Sequence, residues 1–113
     1  MSDVLNELAK VLEQRKSASA EKSYVASLHA EGLNRILEKI NEESDETIQA
    51  AKEYDDQVEK TKKAVIYETA DLWFHTLVML SHLDLGPNQV LEELKKRFNI
   101  SGLDEKASRK IKR

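Results

Sequence analysis

The residues of this chain best suited to chemistry are carboxylates. The stretch "NEESDETIQAAK", Asn41 to Lys52, sets Glu42, Glu43, Asp45 and Glu46 close together, and further on "YETADLWF" sets Glu68 and Asp71 three residues apart. On an α-helix a spacing of three puts two side chains about 60° apart, so each pair shares a face. Glu43 and Glu46 fall beside an apolar stripe, with Lys39 on their face, while Glu42 lies on the polar flank and Asp45 points away to solvent. Glu68 and Asp71 interrupt a segment that is otherwise apolar, and a buried carboxylate pair repels itself and needs a cation or a shared proton. Facing one another, the two pairs would form a cage of four carboxylates between two helices, an arrangement that helix bundles use for metals.

All-oxygen ligands favour Mg²⁺ or Mn²⁺ over Zn²⁺, and Mg²⁺ commonly completes its shell with water and substrate phosphates. The chemistry suggested is metal-assisted attack of water on a phosphate, with charge offset on a leaving pyrophosphate. In a chain that is 35% charged, acid pairs at helical spacing also arise by chance, so a merely solvated acidic face stays open as the alternative. His75, one turn beyond Asp71, could ligate metal or hydrogen-bond substrate, or be a satisfied interface histidine. His29 and His82 have no motif spacing and are expected at the solvent edge. Trp73, Phe74 and Met79 fit core packing, and there is no Gly-rich phosphate loop, HExxH or nucleophile elbow.

Helices must position these acids. Val4, Leu5, Leu8, Val11 and Leu12 recur at helical spacing between Ser2 and Lys16, with Ser2 or Asp3 as N-cap. "SASAEKS" is a connector, and Ser23 caps a short helix through Tyr24, Val25, Leu28 and His29, with Gly32 marking its end or a kink. A third helix runs from Gly32 or Leu33 to about Glu53 with Leu33, Ile36, Leu37, Ile40, Ile48 and Ala51 on a broad stripe. "EYDDQVEKTKK" reads as a loop or frayed ends. The fourth helix, from about Lys63 to Leu85, is apolar nearly all round through Val65, Ile66, Leu72, Trp73, Phe74, Leu77, Val78, Leu80 and Leu83. So short a chain has few helices to cover it, which predicts a two-fold dimer. Gly86 is expected to cap its end and Pro87 to start a last helix with Val90, Leu91, Leu94 and Phe98. The tail from Ser101 is polar, ends "SRKIKR" and is expected to be mobile.

The 113 residues, 40% hydrophobic with three Gly and one Pro, suit a single all-α domain, a bundle of about four to five helices completed by dimerisation. The absence of Cys excludes disulfides, thiolate metal sites and a cysteine nucleophile. The N-terminus lacks a signal pattern, and no apolar run approaches the roughly 20 residues of a membrane span, so a soluble cytoplasmic protein without membrane contact is expected. Net charge is −3 with both signs interspersed, which offers nucleic acid no basic stripe.

Together, Glu42, Glu43 and Glu46 followed by Glu68 and Asp71 resemble the acid motif of the all-α nucleotide pyrophosphatases, the superfamily of MazG proteins and dimeric dUTPases. "SYVASLHAEGLNRILEKINEESDETIQAAK", "YETADLWFHTLVML" and "LEELKKRFNISGLDEKASRK" extend the resemblance over nearly the whole chain and most resemble phosphoribosyl-ATP pyrophosphatases. That resemblance implies hydrolysis of phosphoribosyl-ATP between its α and β phosphates, giving phosphoribosyl-AMP and pyrophosphate in the second step of histidine biosynthesis. It also implies a Mg²⁺-dependent helical dimer and a functional link to phosphoribosyl-AMP cyclohydrolase, although these 113 residues leave no room for a fused cyclohydrolase domain. Carried over, Glu43, Glu46, Glu68 and Asp71 would be metal ligands and Glu42 an outer ligand or water-orienting base. Lys39 would meet phosphate, and Lys52 matches a recurrent "AAK" but points almost opposite Glu43. Asn41 stands where the family usually has Gly. The alternatives are a housecleaning nucleoside triphosphate pyrophosphatase with the same metal site, or a non-catalytic helical dimerisation module.

Overall fold

The computed structural model describes residues 4–98, and the expected N-caps Ser2 and Asp3 and the tail from Ser101 lie outside them. Five α-helices follow one another: α1 (Val4–Arg15), α2 (Tyr24–Glu31), α3 (Leu33–Lys52), α4 (Glu59–His82) and α5 (Pro87–Arg97). There is no strand among the described residues, as the all-α composition requires.

Local chemistry sets most of the boundaries. The Ser23 hydroxyl accepts from the Ala26 N–H at 3.2 Å and opens α2. Gly32 ends α2 by donating its N–H to Leu28 O at 3.0 Å and at once precedes α3, with φ 102° and ψ 177°. A side chain at Gly32 would meet nothing within 4 Å, so glycine is needed there for its backbone angles rather than for space. Between α3 and α4, Thr61 Oγ1 donates to Asp55 O or Val58 O and accepts from Asp55 N–H, closing a tight turn.

Two expected boundaries move. α4 starts at Glu59 rather than near Lys63, because the Thr61 contacts recruit the charged "EKTK" into its first turn. It stops at His82 rather than Leu85, and Asp84, not Gly86, supplies the left-handed residue at φ 62°. Leu85 N–H reaches Leu80 O at 2.7 Å and Asp84 N–H reaches Ser81 O at 3.0 Å, the paired bonds of a Schellman ending. Lys16 holds Asp84 there through a 2.9 Å ion pair. Gly86 instead precedes α5, its N–H donating to Gln89 Oε1 at 2.8 Å.

α3 and α4 form an antiparallel hairpin, since Thr47 meets Glu68 while the start of α3 packs with the end of α4. The core lies at the end of the hairpin away from its turn, where Leu12, Leu28, Ile36 and Val78 are fully buried beside Val25 and Leu77. Each such side chain stabilises the fold by about 1.5–3 kcal/mol. The inner line of α3 runs Ile36, Ile40, Glu43, Thr47, Ala50. Leu37, Ile48 and Ala51, expected on the buried stripe, form a parallel line that this single chain leaves open. Trp73 likewise stands outside the core, 61% exposed, whereas Phe74 and Met79 pack against it.

Candidate metal centre

The inner line of α3 meets α4 midway along the hairpin, and the acids lie where the lines cross. One carboxylate oxygen from each of Glu43, Glu46, Glu68 and Asp71 lies within 4.8 Å of all the others. Glu43 is only 3% exposed, and Glu68 and Asp71 are half-buried, while Glu46 closes the cluster from the solvent side. Thr47 fastens the two helices there, its hydroxyl lying 2.7 Å from Glu43 O and 3.1 Å from Glu68 O.

The cluster is electrostatically unfinished. Burial, reinforced by Asp71 and Glu46, pushes the Glu43 carboxyl up to about 7. Burial and then Glu46 raise Glu68 as well. Glu43 Oε1 and Glu68 Oε1 are both buried without a hydrogen-bond partner. Ionised, the four acids have only lone pairs to offer one another, so each needs a proton or a cation. A hard divalent ion fits this all-oxygen donor set, and the two orphaned oxygens are those it would satisfy.

Lys39 extends over the cluster from one turn earlier, 3.2 Å from Glu42 and 3.5 Å from Glu43. Burial works against its charge, yet Glu42, Tyr24 and Glu43 outweigh it and hold the ammonium above its ordinary range. Glu42 lies outside the four-acid group, half-exposed, with Arg35 at 3.6 Å as a second cation. Asp45 is exposed. Lys52 lies on the exposed last turn of α3, and no described contact joins it to the acids.

His75 is 3% exposed, and both its nitrogens are engaged. Nδ1 lies 2.8 Å from the Asp71 carbonyl, which only accepts, so Nδ1 carries the proton. Nε2 therefore accepts from the Tyr24 hydroxyl at 2.8 Å. A second grouping, Glu43, Asp71 and His75, is also compact enough for a metal, but the ring has no free lone pair to give. The satisfied-histidine alternative describes this arrangement, and the four carboxylates form the better donor set. His29 and His82 do not sit separately at the solvent edge: their rings stack at 5.2 Å, with Nδ1 atoms 2.9 Å apart, because the last turns of α2 and α4 meet.

Tyr24, Arg35 and Thr47 approach this centre without having been singled out by motif. Thr47 was signalled by its place one turn after Glu43 on the inner line. Arg35 lies one turn before Lys39. Nothing in helical spacing connects Tyr24 to α4.

The phosphoribosyl-ATP pyrophosphohydrolase family model matches residues 5–98, a span holding all of these acids. With that match over most of its length, and acids from α3 and α4 gathered at one point, the chain belongs to the phosphoribosyl-ATP pyrophosphohydrolase family, hydrolases of histidine biosynthesis.

Proposed function

We propose that this chain hydrolyses phosphoribosyl-ATP between the α and β phosphates, releasing pyrophosphate and phosphoribosyl-AMP, at a divalent cation held between α3 and α4. The observation that carries the reading is Glu43, a nearly inaccessible carboxylate with an orphaned oxygen among three more acids. Glu43, Glu46, Glu68 and Asp71 would hold Mg²⁺, or Mn²⁺ in its place. Such an ion, when bound, lowers the pKa of water and offsets negative charge on the phosphates.

The chain's own groups do the rest. Glu43, raised to about 7, loses its proton readily near neutrality and becomes a ligand. Glu42, the acid outside the group of four, would take the proton of the attacking water. Lys39, lying between Glu42 and Glu43, would meet the substrate phosphates. His75 has no free donor or acceptor for substrate, and Lys52 would act only through a second copy of the chain. A homodimer fits the open apolar lines of α3 and α4, and the product would pass to a phosphoribosyl-AMP cyclohydrolase.

The test is pyrophosphate release from phosphoribosyl-ATP, beside common nucleoside triphosphates, with Mg²⁺ and then with chelator. Metal-dependent release selective for phosphoribosyl-ATP is expected. Release from the common triphosphates instead would move the chain to the housecleaning class. Glu68→Gln should lower the rate more than about 100-fold, beyond the cost of disturbing a group behind a ligand, with the helices intact by circular dichroism. Full activity in that variant would remove Glu68 from the site.

A further inference from the structure

We infer that Tyr24 is a positioning residue for the acid cluster, its hydroxyl fixing the His75 ring that in turn braces the Asp71 turn of α4. The inference rests on the metal reading above and adds a residue from a helix that contributes no ligand. Tyr24 is the first residue of α2, seated by the Ser23 cap, and its ring stands edge-on to His75 at 5.8 Å and 84°. Its O–H donates to Nε2 at 2.8 Å, and Nδ1–H donates to the Asp71 carbonyl at 2.8 Å. The Asp71 carboxylate lies 3.6 Å from the same Nδ1, too far for a full hydrogen bond but within reach of its partial charge.

The alternative tautomer would place a proton on Nε2 and a lone pair on Nδ1. That lone pair would then face both the carbonyl and the carboxylate of Asp71, a repulsive arrangement. A hydroxyl can donate or accept, so the Asp71 carbonyl sets the tautomer, and Tyr24 completes the pair by donating to Nε2 and fixing the orientation of the ring. Burial keeps the phenol protonated well past neutrality, so the donor persists throughout the working range. Without the hydroxyl, Nε2 would be left unpaired on a ring that is 3% exposed. The ring would relieve this by swinging aside, and Asp71 would lose its brace.

Tyr24→Phe isolates the effect, because it keeps the ring and the Ser23 cap and removes only the hydroxyl. Two readouts separate positioning from packing. The first is the Nδ1–H of His75 followed by NMR, expected to exchange slowly with solvent in the parent and faster in Tyr24→Phe, where the ring is no longer fixed on the Asp71 carbonyl. The second is the affinity for Mn²⁺ alone, followed by electron paramagnetic resonance without substrate, which should weaken about tenfold. In a His75→Phe background the same change should cost no further affinity, since the two residues act in series.

Unchanged Mn²⁺ affinity in Tyr24→Phe, or an equal loss with and without His75, would overturn the inference while leaving the metal site standing. A parent protein that binds no Mn²⁺ would overturn the metal reading and this inference with it.

Discussion

At the scale of single residues, Glu43 decides whether the centre is a cation site or only a crowded set of acids. Its folded pKa, about 7, lies above its ordinary 4.5, so the folded chain holds a proton that the unfolded chain has released. For such a group stability is highest below about pH 4.5 and falls as pH rises toward 7, because the folded state binds more protons in that window. Replacing Glu43 with Gln removes the penalty. In chelator above about pH 7, Glu43→Gln should therefore be more stable than the parent by on the order of 3 kcal/mol, and the two should converge near pH 4.5. Added Mg²⁺ should stabilise the parent and not the variant. Thermal melts across that range check this, and equal melting temperatures at all pH values would show that Glu43 bears no buried charge. Glu43 and Asp71 could be picked out beforehand because a helix turns a spacing of three into a shared face. Tyr24 could not, because its partner His75 is 51 positions away on another helix and only the packing of α2 on α4 brings them together.

At the scale of elements, α2 is pinned to α4 at both ends, by Tyr24 to His75 and by His29 to His82. The imidazole pair shares one proton between Nδ1 atoms 2.9 Å apart, and a second proton would set two donors against each other. Burial, then His82 and Lys16, lower the His29 pKa below 6.5, with Glu13 opposing them; Asp84 faces His82 beyond the end of α4. The unfolded chain thus binds the proton first as pH falls. Stability contributed by the neutral pair is complete above about pH 6.5 and declines as pH drops below it toward the lowered folded value. In a Glu43→Gln background, which removes the opposing trend of that acid, the melting temperature should fall between about pH 7 and pH 5, and adding His29→Leu should flatten part of that slope. Identical slopes with and without His29→Leu would remove the pair from the acid response. The pairing was not readable in advance, since two lone histidines carry no periodicity. Helix ends were readable where a side chain caps them, as at Ser23, and misplaced where a tertiary contact decides, as when Lys16 holds Asp84 in the left-handed region and ends α4 before Gly86.

At the scale of the whole molecule, the surface left open by the fold argues for a second copy. Ile66 and Trp73, seven residues apart and so within about 20° on α4, are 64% and 61% exposed, and Tyr67 beside them is 67% exposed. Ile48 and Leu37 are likewise exposed on α3. On the other side of Trp73 an apolar groove of about 370 Å³ runs between Leu5, Leu80, Val90 and Leu94. Side chains of this size in one band exceed what a lone chain usually leaves to water, and two hairpins related by a two-fold axis would bury them as a four-helix bundle. The all-round apolar character of α4 announced this surface in the sequence, since α1, α2 and α3 pack on it and still leave Ile66 and Trp73 open. Sedimentation velocity at micromolar concentration should give twice the mass of one chain. Trp73→Glu, which sets an unpaired charge in the band, should shift the protein to monomer and lower its melting temperature. A parent that sediments as a monomer, or a Trp73→Glu variant that remains dimeric, would rule out this face as the interface. Because the band lies on the same two helices that carry the acids, dissociation should also weaken Mn²⁺ binding: beyond Thr47 the spacing of α3 and α4 would then rest on the buried Ala50 and the Thr61 turn.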